Sequence, residues 1–252
     1  MPQLADRLAA AGFLSAREEA EELQARAGGD DRLLEELVER RFSGEPLAWI
    51  VGSAAFCGLR VRVAPGVYVP RSHTEALALR AAERLPEQGT AVDLCTGCGA
   101  VAAVLIDRRP AATVIATDVD ERAVACARSN GVDARRGDLF GPLPAALCGR
   151  VDVMTAVVPY VPTAALSSLQ RDTFAHESSF AYDGGPDGTA ILRRALEGSG
   201  AVLRRGGALL LELGGDQADL LAGDLARLGF GDVSVLTDGD GDVRGIEAAA
   251  AA

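Results

Sequence analysis

Asp93-Leu94-Cys95-Thr96-Gly97-Cys98-Gly99 is the stretch whose residue types and spacing could do chemistry. An apolar run, Thr90-Ala91-Val92, enters it, and a helix-like run, Ala100 to Ile106, leaves it. Strand, glycine turn, helix is the layout that brings a nucleotide-like ligand against bare backbone. A second apolar run, Thr113 to Thr117, ends at Asp118-Val119. A carboxylate about 20 residues beyond such a loop suits ribose hydroxyls. Gly97-x-Gly99-x-x-Ala102 also fits a dinucleotide fingerprint, so glycine spacing alone does not choose the ligand. Asp93 tilts the choice. An acid opening the loop favours an ammonium group and disfavours a phosphate. S-adenosylmethionine (SAM) carries an ammonium, a sulfonium and no phosphate. It, or its product S-adenosylhomocysteine (SAH), is the expected ligand, held by Asp93, Cys95, Thr96, Gly97, Gly99, Asp118 and Val119. Gly137-Asp138-Leu139-Phe140 follows a third short strand region, where Asp138 and the Leu139 amide can meet an adenine edge. The plain alternative for Asp138 is a turn acid.

Cys95-x-x-Cys98 could also be a redox pair or half a zinc site. No second C-x-x-C exists, the only histidines are His73 and His176, and a zinc site needs about four such ligands. Two small residues in a crowded glycine loop is the preferred reading, and no metal is expected. The 252 residues are 48% apolar, enough for one domain and an appendage. A net charge of −11 argues against nucleic acid as substrate, because phosphate tracking needs a basic face. No apolar run approaches the roughly 20 residues of a membrane span, and Met1 to Asp6 lacks a signal-peptide pattern. Five cysteines without framework spacing fit a reducing, cytoplasmic setting.

The elements that must position these residues follow from pattern. The first 42 residues read as helices, with Leu4, Leu8 and Ala11 on one face. Ser15 with Glu18 predicts a capping box for a helix ending near Ala27. Gly28-Gly29 breaks it, and Asp30 or Asp31 caps a third helix carrying Leu33, Leu34, Leu37 and Val38. Phe56 to Val63 alternates like a strand. Pro65-Gly66 predicts the turn, with Val67-Tyr68-Val69 returning as a hairpin. A helix spans Ala76 to Leu85. From Thr90, strands and helices alternate: Ala91–Leu94, Thr113–Thr117, Val151–Val157, Ala208–Leu213, Asp232–Leu236 and one near Val243–Glu247. Near-continuous apolar strands in βα units predict an α/β fold with a mostly parallel, doubly wound sheet. Only Thr237 to Asp242 separate the last two strands, too few for a crossover helix, so these should pair antiparallel. The Ala248–Ala252 tail reads as frayed. The expected organisation is a helical domain over 1–43, a hairpin linker over 44–71 and a ligand-binding domain over 72–252.

Together these residues resemble the PrmC/HemK family of class I methyltransferases, which methylate the N5 of a glutamine in peptide release factors. Gly44-Glu45-Pro46-Leu47 resembles its GEPL, and Phe56-Cys57-Gly58-Leu59 its F-x-G-L. Pro65 to Arg71 with Thr74-Glu75 resembles PGVLIPRPETE, Asp93 to Gly99 resembles DLGTGSG, Gly137 to Phe140 matches GDLF, and Ala181 to Gly188 resembles ALDGGEDG. The resemblance implies a helical N-terminal domain, a hairpin and a Rossmann-like, seven-stranded sheet with an antiparallel last strand. It also places Arg71 and Thr74 among the cofactor-side residues.

One departure bears on function. The family's catalytic motif is Asn-Pro-Pro-Tyr; here the place reads Val157-Val158-Pro159-Tyr160. In the family the asparagine carbonyl, with a backbone carbonyl, orients the substrate amide. Valine offers no acceptor, and such a loss costs roughly 1–3 kcal/mol before any orientation penalty. Ser72-His73 and His176-Glu177-Ser178-Ser179 depart as well. The first expectation is therefore a cofactor half retained for a small-molecule acceptor, as in secondary metabolism. It would act by methyl transfer or another displacement at a sulfonium carbon, such as cyclisation expelling SAH. Val157, Pro159 and Tyr160 would line that site. His176 is the preferred proton acceptor, with His73, Glu177, Tyr68 and Tyr160 as other acid–base candidates. The alternatives are a retained protein-glutamine methyltransferase acting on a release factor through backbone carbonyls at Ala156 to Val158, and a SAM-binding but inactive regulatory partner. An adenine-N6 DNA enzyme would need the same asparagine and a basic surface.

Overall fold

The computed structural model describes residues 2–168, 177 and 181–251. Helices α1 (Pro2–Ala10), α2 (Ala16–Ala27) and α3 (Asp31–Phe42) pack with the short α4 (Leu47–Val51) around Leu8, Leu23, Leu37, Val38 and Ile50. Asp30 caps α3, accepting the Leu33 N–H at 3.0 Å. The box expected at Ser15 does not form. Its backbone (φ −98°, ψ 39°) leaves the extended region that aims a hydroxyl at the first turn, and its side chain makes no cap bond. Helix α1 stops at Ala10 and Ala11 is exposed, so the buried face rests on Leu4 and Leu8.

The hairpin comes earlier than its sequence pattern suggests. Strands β1 (Ser53–Phe56) and β2 (Leu59–Arg62) pair antiparallel, with Phe56 opposite Leu59. The turn is Cys57-Gly58, at φ +49° and +81°. Two left-handed residues make the primed turn whose twist matches that of the strands. Residues 67–69 form no strand. Trp49 instead pins them, donating its indole N–H to the Val67 carbonyl at 2.9 Å.

A 3-10 turn, Ser72–Thr74, leads into α5 (Glu75–Arg84). The remaining elements are β3 (Thr90–Leu94), α6 (Ala100–Arg108), β4 (Thr113–Asp118), α7 (Glu121–Ser129), β5 (Asp133–Arg136), β6 (Val151–Ala156), α8 (Ala190–Val202), β7 (Leu203–Glu212), α9 (Gln217–Arg227), β8 (Phe230–Thr237) and β9 (Val243–Ala250). They build one seven-stranded sheet in the order β5-β4-β3-β6-β7-β9-β8. The first five strands are parallel, and β9 runs antiparallel to both its neighbours. Of the alanine tail, residues Ala248 to Ala250 belong to this sheet and are not frayed: Ala248 and Ala249 pair with Leu209 and Ala208, and Ala250 with Phe230.

Apolar side chains of α5, α6 and α7 cover one face of the sheet, and those of α8 and α9 cover the other. Each fully buried leucine contributes about 1.5–3 kcal/mol of transfer free energy. The parallel strands all end on one side, and in an open α/β sheet that carboxyl edge is where ligands bind. Among the described residues, no helix is long and apolar enough to cross a membrane.

Candidate active site

Asp93 ends β3 at 1% exposure. Both its oxygens are in use: one accepts the Thr96 hydroxyl, the other the Thr155 hydroxyl from β6 at 2.7 Å. Burial pushes its carboxyl up to about 6, and the two hydroxyl bonds oppose that shift. Asp93 thus ties the loop to two strands and places a buried acid beneath it. Cys95 takes a left-handed backbone (φ +54°) that glycine would adopt without strain. Gly97 also has positive φ, and a Cβ there would meet nothing within 4 Å, so its backbone faces open space. Gly99 is different. A Cβ would sit 2.9 Å from that of Ala127, so this glycine lets α7 pack closely.

Asp118 ends β4 beside the loop. Its two oxygens accept the Gly97 and Asp120 N–H groups, each at 2.9 Å, and burial raises its pKa. The Thr96 N–H also reaches back to the Thr117 carbonyl at 3.0 Å. Val119 lies at the rim, partly exposed. The third segment joins through the Gly137 N–H, which donates to the Asp118 carbonyl at 2.9 Å. Asp138 is exposed and paired with Arg194 of α8; Leu139 is buried with a left-handed backbone. The Cys95 thiol is pushed up, chiefly by burial and then by Asp118, Asp93 and Asp138. Such a donor set suits a cationic, phosphate-free nucleoside with ribose hydroxyls and would repel a pyrophosphate. Burial also pushes the Cys98 thiol up to about 12, and Cys95 and Cys98 remain free thiols.

Arg71 and Thr74 lie on the segment that leads into α5. Arg71 donates to Glu177 and to the Tyr182 hydroxyl, and its guanidinium lies 4.9 Å from the Tyr68 ring centroid. Thr74 is buried at the start of α5. Glu177 accepts from the Val69 N–H, Arg71 and the Tyr182 hydroxyl, so its carboxylate is engaged rather than poised as a base. Burial pushes the Tyr68 phenol up to about 12. His176 lies outside the described residues.

Beyond β6, Val157 and Pro159 are half-buried and Val158 is buried. The loop is gripped from behind. The Tyr160 hydroxyl donates to Glu212 Oε1 at 3.1 Å, and Gln217 Nε2 donates to the Tyr160 carbonyl at 2.7 Å. Gly184 and Gly188 press on the same backbone: a Cβ on Gly188 would lie 2.2 Å from the Tyr160 oxygen, and one on Gly184 2.8 Å from the Pro159 oxygen. Asn130 is the chain's single asparagine, and it serves elsewhere, bonding Arg62 and Cys98. Glu212, Gln217 and Thr155 were not among the candidates read from sequence. For Glu212 the signal was polarity at the end of an apolar run, Leu209-Leu210-Leu211-Glu212.

A family model of the methyltransferase small domain matches residues 58–137. The release factor glutamine methyltransferase of Mycolicibacterium smegmatis is 38% identical over 226 residues, covering 81% of this chain and 80% of that protein. The protein of the same name from Moorella thermoacetica is 40% identical, over 71% of this chain and 66% of its own length. Among solved structures, the E. cuniculi Mtq2–Trm112 complex, described as methylating the eRF1 termination factor, aligns with a TM-score of 0.53 at 25% identity, over 74% of this chain and 99% of that one. A methyltransferase from Pyrococcus furiosus aligns at 0.53 and 20% identity, over 77% of this chain and 90% of that one. With this likeness across both the cofactor loop and the acceptor-side loops, the chain belongs to the PrmC/HemK family of class I, SAM-dependent methyltransferases.

Proposed function

We propose that this enzyme transfers the SAM methyl group to the side-chain amide nitrogen of a glutamine in a protein of the release-factor type. The observation that carries the reading is the extent of the likeness. Relatives named for that reaction match about four-fifths of the chain, acceptor loops included. Among the described residues no donor reaches the carbonyls of the half-buried Val157 or the buried Val158. The clamp of Glu212, Gln217, Gly184 and Gly188 fixes Pro159-Tyr160, and with them the direction of those carbonyls. Fixed acceptors reduce the entropy lost when the amide is oriented.

SAM supplies an electrophilic methyl on a sulfonium. The chain's residues do the rest. Gly97 allows backbone approach, Asp118 accepts from ribose hydroxyls, Asp138 and the Leu139 amide meet the adenine edge, and the buried Asp93 charge favours the ammonium end. Cys95, Thr96, Gly99 and Val119 shape the loop. Arg71 and Thr74, on the segment before α5, complete the cofactor side as the family resemblance implies. Residues 1–43 and 44–71 would receive the protein substrate beside the domain of residues 72–252.

A small-molecule acceptor has one observation in its favour, the apolar pair Val157-Val158. The curated relatives reported above are named for a release factor, and secondary metabolism has no other support. The test is methylation of release factor by SAM against the same factor with the target glutamine changed to glutamate. Methylation of the glutamine form alone supports the reading; modification of neither, with SAH binding demonstrated, sends the search to small molecules.

A further inference from the structure

Behind the acceptor loop lies a polar cluster that no step above uses. Glu212 closes β7 with 1% of its side chain exposed. Its Oε1 accepts the Tyr160 hydroxyl at 3.1 Å and lies 3.4 Å from His73 Nε2. Its Oε2 is buried with no hydrogen-bond partner, and His73 Nε2 is buried without a well-aligned one. Among the described residues, His73 is the one cationic side chain within ion-pair distance of this carboxylate. A buried carboxylate holding a single hydrogen bond is costly. A proton on His73 turns the 3.4 Å contact into an ion pair and removes much of that cost.

The position adds weight. His73 stands in the turn leading into α5. The same chain lacks the asparagine of the acceptor motif, so Tyr160 and the carbonyls before it carry more of the orienting work.

We infer that His73 is a positioning residue for methyl transfer: in its charged form it holds Glu212, and through Glu212 it holds Tyr160 and the acceptor loop in the transfer geometry. The inference rests on the glutamine reading for its kinetic test only. Removing the proton from His73 at alkaline pH releases Glu212. Acceptor turnover should fall with it, while SAH affinity should not. The other titratable or charged groups around the cluster are Tyr160 on the loop, Tyr68 and Arg71 on the segment before the turn, Glu75 on α5, Arg244 on β9, and Glu177 acting on Tyr68. Arginine stays charged at alkaline pH, and burial raises the Tyr68 and Tyr160 phenols.

Two measurements test the inference. NMR of the His176→Gln protein leaves one imidazole in the chain, and the Tyr160 ring-carbon resonance is followed against the His73 signal. The Tyr160 resonance should move with His73 protonation, and should stop doing so in Glu212→Gln. Independence in the parent protein overturns the inference, whatever the substrate. In the kinetic arm, His73→Ala should lower kcat on release factor about 10- to 100-fold and leave SAH affinity within about twofold. His73→Arg should retain turnover and lose the alkaline fall. An unchanged kcat in His73→Ala, or the same alkaline fall in His73→Arg, overturns it. Release factor left unmodified by the parent protein, with Tyr160 still tracking His73, would refute the acceptor assignment and leave the cluster's role standing.

Discussion

Asp93→Asn should make the protein more stable and a poorer binder of its cofactor. Asp93 is 1% exposed, and burial pushes its carboxyl up to about 6. An unfolded aspartate titrates near about 3.9. Between those values the folded chain keeps a proton that the unfolded chain has released. Stability therefore falls as pH rises through that window, and the full penalty is present above it. About two pKa units at roughly 1.4 kcal/mol each give ~3 kcal/mol, an order-of-magnitude figure. Asparagine keeps the shape, accepts one threonine hydroxyl and donates to the other. The assay is urea denaturation of both proteins from pH 4 to pH 8, with SAH calorimetry at pH 8. The variant should gain up to ~3 kcal/mol at pH 8, the gap should close toward pH 4, and SAH affinity should fall about tenfold or more. A variant no more stable at pH 8, a gap independent of pH, or unchanged SAH affinity would refute the reasoning.

Asp118→Ala should weaken SAM and SAH binding at least about tenfold by calorimetry, because the ribose loses its acceptor and Gly97 its anchor. Gly188→Ala would place a Cβ 2.2 Å from the Tyr160 oxygen at φ +76°; about 1–3 kcal/mol of lost stability should appear as a lower melting temperature, together with reduced acceptor turnover. Val157→Asn restores a side-chain acceptor worth about 1–3 kcal/mol. It should raise glutamine turnover several-fold or more, and unchanged turnover would mean the pocket serves a different acceptor.

The sheet was legible because its strands are apolar runs bounded by turns, and because six residues between the last two strands forbid a crossover. The cofactor loop was legible because glycine and aspartate at these spacings have few other uses. The hairpin was misplaced because Cys57 adopts a left-handed backbone that its residue type does not advertise. The alanine tail looked weak by composition, yet its position between two strands determines its state. The acceptor side was harder still. Glu212 and Gln217 meet Tyr160 only through the fold, at separations of 52 and 57 residues. Glu177 read as a free acid until Val69, Arg71 and Tyr182 were seen to surround it.

The central claim, that the methyl group goes to a glutamine amide nitrogen, is tested most directly by tandem mass spectrometry of release factor incubated with this enzyme and SAM carrying a labelled methyl. The account predicts one labelled methyl on the side-chain nitrogen of a single glutamine. An unlabelled factor, under conditions where calorimetry shows SAM bound and SAH bound, would contradict it.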